Sequence, residues 1–121
     1  METEISRGDI YYAELDGIGS EQVGRRPVII VQNDIGNQLS NTVIVVPLTK
    51  KIDLKVKLPT HILVRAFGNI KYDSTILTEQ IRTIDKMRLL RKIGRLPYGL
   101  VKKMDKSLLI AIGIENNEMR K

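Results

Sequence analysis

The feature that most limits how this chain can fold is a pair of short runs of β-branched and other apolar residues. The strands they predict are Val28–Gln32 and Thr42–Thr49. Because apolar residues occupy consecutive positions, both faces of each strand need burial, and we expect two core strands of a sheet. Pro47 lies inside the second run and predicts an edge or a bulge near the end of that strand.

Arg26 lies two residues before the first of these strands, Val28–Gln32. Pro27 removes a backbone donor and favours extended backbone at Arg26, so a rigid segment carries the guanidinium. The preceding segment, Asp16–Ser20, contains two glycines and predicts a loop. An arginine in this position either forms an ion pair or faces an anion.

Shorter patterns predict the other elements of the N-terminal two thirds. Aromatic, β-branched or alternating segments are typical of strands. These predicted strands are Ile10–Leu15, His61–Val64, Ser74–Leu77 and Thr78–Ile84. Asp34–Asn37 predicts a turn, and Lys50–Lys57 predicts a basic loop or hairpin tip.

The pattern changes after Asp85, which we expect to cap a short helical turn that runs through Met87, Leu89 and Leu90. A final helix is predicted from Pro97 to a stop at Gly113. Its apolar stripe recurs every four residues, at Leu100, Met104, Leu108 and Ile112. Together the elements predict a mainly β fold, in which one C-terminal helix closes a small curled antiparallel sheet.

Length and composition indicate one soluble domain over residues 1–121. We expect its core over about residues 7–114 and a polar tail over 115–121. The chain has no cysteine, which excludes disulfides and thiolate metal ligands. An acidic N-terminus without an apolar segment, and apolar runs too short to cross a bilayer, predict a cytoplasmic protein without membrane contact.

Positive charge is concentrated in two parts of the chain. The formal net charge is +6, and residues 82–106 alone hold nine basic and two acidic residues. Residues 50–57 hold four basic residues and one acidic residue. Such clusters fit a polyanionic partner such as a nucleic-acid backbone, although a solvated helix face without any partner gives the same pattern.

The available side chains exclude many kinds of catalytic centre. His61 is the only histidine, and the sequence has no phosphate-binding or nucleophile-elbow motif. An enzyme built from this chain would therefore use Arg, Thr, Ser, Glu and Gln, with no metal and no cofactor. These groups suit RNA cleavage, in which the 2′-hydroxyl attacks its own phosphodiester and the protein stabilises the transition-state charge. Antiparallel pairing of the two core strands would bring Arg26 and Thr49 to the same edge.

Six segments carry a more specific signal: Arg7–Tyr11, Gly19–Gln22, Arg26–Asp34, Thr42–Thr49, Leu58–His61 and Leu77–Lys86. Each is weak alone, but in this order they resemble the MazF/PemK/Kid family of toxin endoribonucleases, or mRNA interferases. The resemblance spans nearly all of residues 7–114. It implies an SH3-like small barrel of the MazF/CcdB type, assembled as a homodimer.

The resemblance also implies an activity and partners. The expected activity is metal-independent, sequence-specific cleavage of single-stranded mRNA that leaves a 2′,3′-cyclic phosphate and a 5′-hydroxyl. The expected inhibitor is a MazE-type antitoxin, whose acidic, partly disordered tail would cover the basic groove. We expect the toxin–antitoxin complex to bind operator DNA.

Residue roles follow from the same resemblance. The family's catalytic arginine and threonine fall on Arg26 and Thr49. A guanidinium hardly deprotonates in a protein, so we expect Glu21, another loop side chain or solvent to move the protons. The positions expected to contact RNA are Ser20, Arg25, Lys50, Lys51, Leu58 and Gln80.

The sequence departs from the family pattern at two places, and two alternative functions remain open. Asp16–Ile18 and Ser40–Thr42 lack prolines that are common in the family, and Arg25 competes with Arg26 for the inward position. The alternatives are a non-catalytic toxin of the same fold that poisons gyrase, and a nucleic-acid-binding autorepressor. Arg26 together with Thr49 favours the nuclease, and one Phe and four Tyr are few for a protein that only binds single strands by stacking.

Overall fold

The computed structural model describes residues 4–50 and 58–114, so Lys51, most of the predicted basic loop and the predicted tail over 115–121 lie outside the described residues. The strands are β1 (Asp9–Leu15), β2 (Gly24–Ile30), β3 (Thr42–Thr49), β4 (His61–Val64), β5 (Ser74–Leu77), β6 (Arg82–Asp85) and β7 (Leu89–Arg95). The helices are α1 (Asp34–Leu39) and α2 (Tyr98–Ala111), with 3-10 turns at Thr78–Gln80 and Lys86–Arg88. Neither α-helix has the length and apolar content needed to cross a bilayer.

The strands form one antiparallel sheet in the order β4-β5-β3-β2-β1-β7, with β6 paired to β3 beside this path. The predicted mainly β fold with a C-terminal helix is confirmed. Among the described residues, however, β4 and β7 end the order without pairing to each other, so the curled sheet is not a closed barrel.

β3 is the central strand, because it pairs with three other strands along its length: β6, β2 and β5. Its first half pairs with β6 (Thr42–Val45 opposite Arg82–Asp85), and its middle pairs with β2. Leu48 and Thr49 then pair with β5. Pro47 was predicted to mark an edge or a bulge near the end of this strand. It pairs with Val28 of β2 on one edge, and on the other edge it lies between the residues that pair with β6 and those that pair with β5.

Each face of the sheet has its own apolar cluster, because side chains alternate along a strand. One cluster packs under α2 and includes Ile10, Ile29, Val46, Leu48, Ile76 and Met104, all almost fully buried. The opposite cluster includes Tyr11, Ala13, Val28, Ile30, Val43 and Val45. The two core strands are thus buried on both faces, as their sequences predict.

β2 begins earlier than predicted, at Gly24 rather than Val28, and ends at Ile30. The reason is that β1 supplies partners for the polar residues before the apolar run: Glu14 lies opposite Arg25, and Ala13 lies opposite Arg26. Both arginines therefore belong to a strand, which makes their side chains point to opposite faces.

α1 replaces the predicted turn at Asp34–Asn37. The Asn33 side chain caps it by accepting a hydrogen bond from the Gly36 N–H at 2.8 Å. Asn37 is buried and donates to the Gln32 carbonyl at 2.9 Å. These contacts stabilise a six-residue helix that has no helical periodicity of its own.

The segment after Leu77 also differs from the prediction. Thr78–Gln80 forms a 3-10 turn, so the predicted strand Thr78–Ile84 is reduced to β6. Asp85 caps the next turn as predicted, through a 2.8 Å hydrogen bond from the Met87 N–H. Leu89 and Leu90, however, belong to β7, because β1 pairs with Leu89 and with the basic residues that follow, while Leu90 lies at a register shift.

α2 begins after Pro97 and ends before Gly113, as predicted. Gly113 adopts a φ of +78°, which favours glycine at a helix end. Met104 and Leu108 of the apolar stripe are buried, whereas Ile112 is 56% exposed because it follows the last helical turn.

A buried pair of hydroxyls joins α2 to the start of β4. The oxygens of Thr78 and Ser107 lie 2.6 Å apart. Thr78 also donates to the Thr60 carbonyl at 2.8 Å, and Ser107 to the Pro59 carbonyl at 2.9 Å. These bonds fix the backbone that leads into β4 against both α2 and the 3-10 turn.

Ser107→Ala should lower the free energy of unfolding by about 1 kcal/mol, because it removes a buried hydroxyl and leaves the buried Thr78 hydroxyl without that partner. Urea denaturation measures this change. Lys106→Ala, at an exposed neighbouring position of the same helix, is the control. Equal stability of the two variants would contradict the assigned role of the hydroxyl pair.

Candidate active site

Arg26 and Thr49 lie on corresponding positions of neighbouring strands. β2 and β3 pair at Val28–Pro47, and this register, continued by two residues, would place Arg26 opposite Thr49. The pairing of β2 with β3 ends at Val28–Pro47, and Thr49 pairs with Thr75 of β5 on the other edge of β3. Alternation along each strand nevertheless gives both side chains the same face of the sheet. The structure thus brings the two predicted catalytic residues to one strand junction.

The two adjacent arginines have different surroundings. Arg25 forms an ion pair with Glu14, in which Nη2 lies 3.0 Å from Oε1. Arg26 donates its Nε–H to the Val23 carbonyl at 3.0 Å. Within residues 4–50 and 58–114, no carboxylate lies within ion-pair distance of Arg26. Arg26 is therefore the better placed of the two to receive an anion on its remaining N–H groups.

A cleft of about 680 Å³ opens beside Arg26. Five cations line it: Arg25, Arg26, Lys50, Lys71 and Arg91. None of the described residues that line it is acidic. Thr49 is mostly buried between two lining residues, Leu48 and Lys50. The predicted RNA contacts Arg25 and Lys50 thus share one cleft with Arg26.

Gln80 holds the loop that precedes β2. Its Oε1 accepts a hydrogen bond from the Gln22 N–H at 3.0 Å, and its Nε2 donates to the Ser20 carbonyl at 3.2 Å. The structure therefore brings Ser20 and Gln80 together, as predicted, but through the backbone of the loop. In this arrangement both ends of the Gln80 amide determine where the loop lies.

Two ion pairs of Asp16 fix the start of the same loop. Asp16 Oδ1 lies 3.1 Å from Arg82, and Asp16 Oδ2 lies 3.2 Å from Arg88. The Arg88 charge, together with the hydrogen bond from Arg82, lowers the pKa of Asp16 below its usual value of 3.8. This contribution to stability is complete above that usual value and is lost as the pH falls through the lower pKa of the folded protein.

Glu21 lies on the same loop and folds back over it. Its Oε2 accepts a hydrogen bond from the Ile18 N–H at 3.0 Å. A Cβ on Gly17 would lie 2.2 Å from that oxygen, so the close approach requires glycine. Glu21 is exposed, and one carboxylate oxygen stabilises the loop rather than pointing at Arg26 in this conformation.

Leu58 lies outside the cleft. It is 43% exposed, and its carbonyl accepts a hydrogen bond from the His61 N–H at 3.0 Å. His61 itself lies 2.9 Å from Glu79 at the edge of β4. The structure therefore does not bring Leu58 or His61 to Arg26, while Lys51 lies beyond the described residues.

Several lining residues were not predicted from the sequence. They are Tyr12, Asn69, Lys71, Tyr72 and Arg91. β7 carries Arg91 beside β1, and the connection between β4 and β5 carries Tyr72. Their spacing in sequence gives no signal, because only the sheet order brings them together.

Several of the basic residues between positions 82 and 106 form ion pairs with acidic residues of the same chain. Four of the nine basic residues of this segment form ion pairs with acids from β1 or from the loop after it: Arg82, Arg88, Lys92 and Arg95. Asp9, which pairs with Lys92 and Arg95, is fully buried. Part of the basic segment therefore stabilises the sheet and the loop through ion pairs within the chain.

Comparison with known proteins gives consistent findings. The sequence profile of the PemK-like, MazF-like toxins of type II toxin–antitoxin systems matches residues 6–112. Endoribonuclease EndoA of Bacillus subtilis (strain 168) is 49% identical over 113 residues, which cover 91% of this chain and 96% of that protein.

Solved structures share the fold. MazF from Deinococcus radiodurans (Form-I) superposes with a TM-score of 0.79 and 18% identity, over 93% of this chain and 99% of that one. An endoribonuclease in complex with its cognate antitoxin, from a mycobacterial species, gives a TM-score of 0.76 and 23% identity, over 93% and 98% of the two chains. At these identities the likeness establishes the fold alone.

Gln80→Met should speed hydrogen exchange at the Gln22 amide at least about fivefold, the factor that corresponds to one hydrogen bond of about 1 kcal/mol. Gln80→Glu keeps an acceptor for that amide and should preserve its protection. Amide exchange followed by NMR gives both values.

Glu79→Met is the matched control, because Glu79 contacts His61 rather than the loop. Unchanged exchange at Gln22 in Gln80→Met would contradict the role of Gln80 in holding the loop.

Proposed function

Since this chain belongs to the PemK-like, MazF-like toxin family of type II toxin–antitoxin systems, we propose that it is an endoribonuclease that cleaves single-stranded mRNA at a short recognition sequence. The match over residues 6–112 confirms the family that the sequence motifs predicted. Support for the activity comes from the 49% identical relative, which is named an endoribonuclease. The proposed products are a 2′,3′-cyclic phosphate and a 5′-hydroxyl.

The observation that carries this proposal is the position of Arg26. Arg26 lines a cleft that four other cations also line, and its guanidinium has no carboxylate partner within residues 4–50 and 58–114. Its neighbour Arg25 is held by Glu14, which favours Arg26 as the guanidinium that receives the phosphodiester. A planar guanidinium with paired donors suits the two non-bridging oxygens of a phosphodiester.

In the proposed reaction, the 2′ oxygen bonds to phosphorus while the bond from phosphorus to the 5′ oxygen breaks. The 2′-hydroxyl proton passes to a base, and the departing 5′ oxygen receives a proton. Arg26 stabilises the negative charge that develops on the phosphoryl oxygens, and the Thr49 hydroxyl supplies a further donor. Because the nucleophile belongs to the RNA, this route needs no metal ion and no cofactor.

The proton carrier is assigned to Glu21, another loop side chain or solvent, because an arginine guanidinium hardly deprotonates in a protein. Glu21 lies on the loop that leads into β2 and would have to give up its hydrogen bond to Ile18 to reach the substrate. RNA contacts are assigned to Ser20, Arg25, Lys50, Lys51, Leu58 and Gln80.

The partners follow from the family and from the surface. The cation-lined cleft suits the acidic tail of a MazE-type antitoxin. Ile35, Leu39 and Met87 are 71%, 80% and 89% exposed on α1 and the adjoining 3-10 turn, and this apolar surface suits a homodimer contact. We also assign operator DNA to the toxin–antitoxin complex, and a cytoplasmic location, where mRNA is translated.

Arg26→Ala should lower the cleavage rate about 10²- to 10³-fold, the usual cost of removing one donor to transition-state charge. Arg26→Lys should also cleave poorly while binding RNA normally, because a lysine keeps the charge but loses the paired geometry. The assay follows cleavage of a long RNA in EDTA, with binding measured on a non-cleavable 2′-deoxy analogue.

Arg65→Ala, which removes an 81% exposed arginine away from the cleft, is the control. Near wild-type cleavage by Arg26→Ala would rule out the assigned role. Binding without any cleavage by the wild-type protein would instead favour the autorepressor or the non-catalytic toxin.

A further inference from the structure

Two tyrosines lie in the cleft beyond Arg26, each with a cation against its ring. Tyr72 is 60% exposed, and the Lys50 Nζ lies 4.6 Å from its ring centroid. Tyr12 is half-buried, and the Arg91 guanidinium carbon lies 5.4 Å from its ring centroid. Two of the four tyrosines of the chain therefore face the same cleft.

The chemistry of this surface suits a single-stranded nucleic acid. Such a strand presents flat bases and charged phosphates in turn, and proteins bind it with aromatic platforms beside cations. Tyr72 offers an exposed ring, while Lys50 and Lys71 offer charge next to it. An acidic peptide would use the cations but would have no base to stack on the ring.

The segment that presents Tyr72 is held in place before any ligand binds. The Tyr72 carbonyl accepts a hydrogen bond from the Ser74 hydroxyl at 2.9 Å. Asp73 accepts from the Ala66 N–H at 2.8 Å, and Asn69 donates to the Ile93 carbonyl of β7 at 3.0 Å. A ring on such a pre-formed segment loses little freedom on binding.

The cleft is also continuous with the proposed cleavage site. Arg26 and Tyr72 line the same cavity, and Lys50 directly follows Thr49 in the chain. A strand whose phosphodiester lies on Arg26 can therefore extend over Lys50 toward Tyr72.

We propose that the Tyr72 end of the cleft is a nucleotide subsite for the cleaved RNA strand. A base outside the scissile phosphodiester stacks on Tyr72, and Lys50 contacts the adjoining phosphate. This inference rests on the proposed endoribonuclease function and adds a specific contact to it.

The test first identifies the recognised sequence from the 5′-hydroxyl ends that the wild-type protein generates in a mixed transcript pool. Two fluorescent RNAs with 2′-deoxyribose at the cut position then serve as probes. The minimal RNA holds only the recognised sequence, and the long RNA is extended on both sides. Fluorescence anisotropy gives the Kd of each.

Tyr72→Ala should weaken binding of the long RNA about fivefold or more, as expected for loss of one base–aromatic stack, and should leave the minimal RNA nearly unaffected. Tyr72→Phe keeps the ring and should bind like the wild type. Lys50→Ala should lower the slope of log K against log salt by about 0.7, the value for one phosphate of a single strand.

Tyr98→Ala is the matched control, because Tyr98 is 73% exposed and also carries a lysine, Lys102, 5.3 Å from its ring, but lies on α2. Equal affinity of Tyr72→Ala and wild type for the long RNA overturns the subsite, even if binding of an acidic antitoxin peptide falls. If the wild-type protein leaves the transcript pool uncut, the proposed endoribonuclease function is wrong. This outcome differs from a failure of the Tyr72 subsite, in which the wild-type protein still cleaves RNA.

Discussion

The change of partner along β3 is the constraint on which the rest of the structure depends. On one edge, β3 pairs with β6 through its first half and with β5 through Leu48 and Thr49. On its other edge it pairs with β2 only as far as Val28–Pro47, so the start of β2 has no partner there and Arg26 borders an open cleft. The pairing with β5 brings the β4–β5 segment, with Tyr72, to the other wall of the cleft.

Charge pairing inside the protein decides which cations face a ligand. Acids from β1 and the loop after it pair with Arg25, with Arg82 and Arg88, and with Lys92 and Arg95. Most of these pairs are partly exposed and contribute little each, so their main effect is on position. They leave Arg26, Lys50, Lys71 and Arg91 as the lining cations for which no ion pair lies among residues 4–50 and 58–114. The net charge of the chain alone does not show which cations form ion pairs and which do not.

The helices and strands that could be predicted from the sequence are those with a local signal in their own residues. β3, β4 and β5 have the predicted bounds, and α2 begins and ends at its proline and glycine signals. α1 was missed because buried amide contacts of Gln32 and Asn37 stabilise it, and β7 was missed because it forms on the open side of β1. In the site, the antiparallel pairing of β2 with β3 was predictable, and it puts Arg26 and Thr49 near the same end of the two strands. The tyrosine platform could not be predicted, since it joins residues from β1 and the β4–β5 segment that no local pattern connects.

If Arg26 and Thr49 act together on one phosphodiester, a double-mutant cycle will show that their effects on the cleavage rate are coupled. Single-turnover cleavage rates would be measured at saturating protein for wild type, Arg26→Ala, Thr49→Val and the double variant. Val keeps the β-branched shape of the buried threonine while removing its hydroxyl. The account predicts a coupling energy above about 1 kcal/mol, with the double variant little slower than Arg26→Ala. Rate losses that simply multiply would contradict it, because the two residues would then act independently.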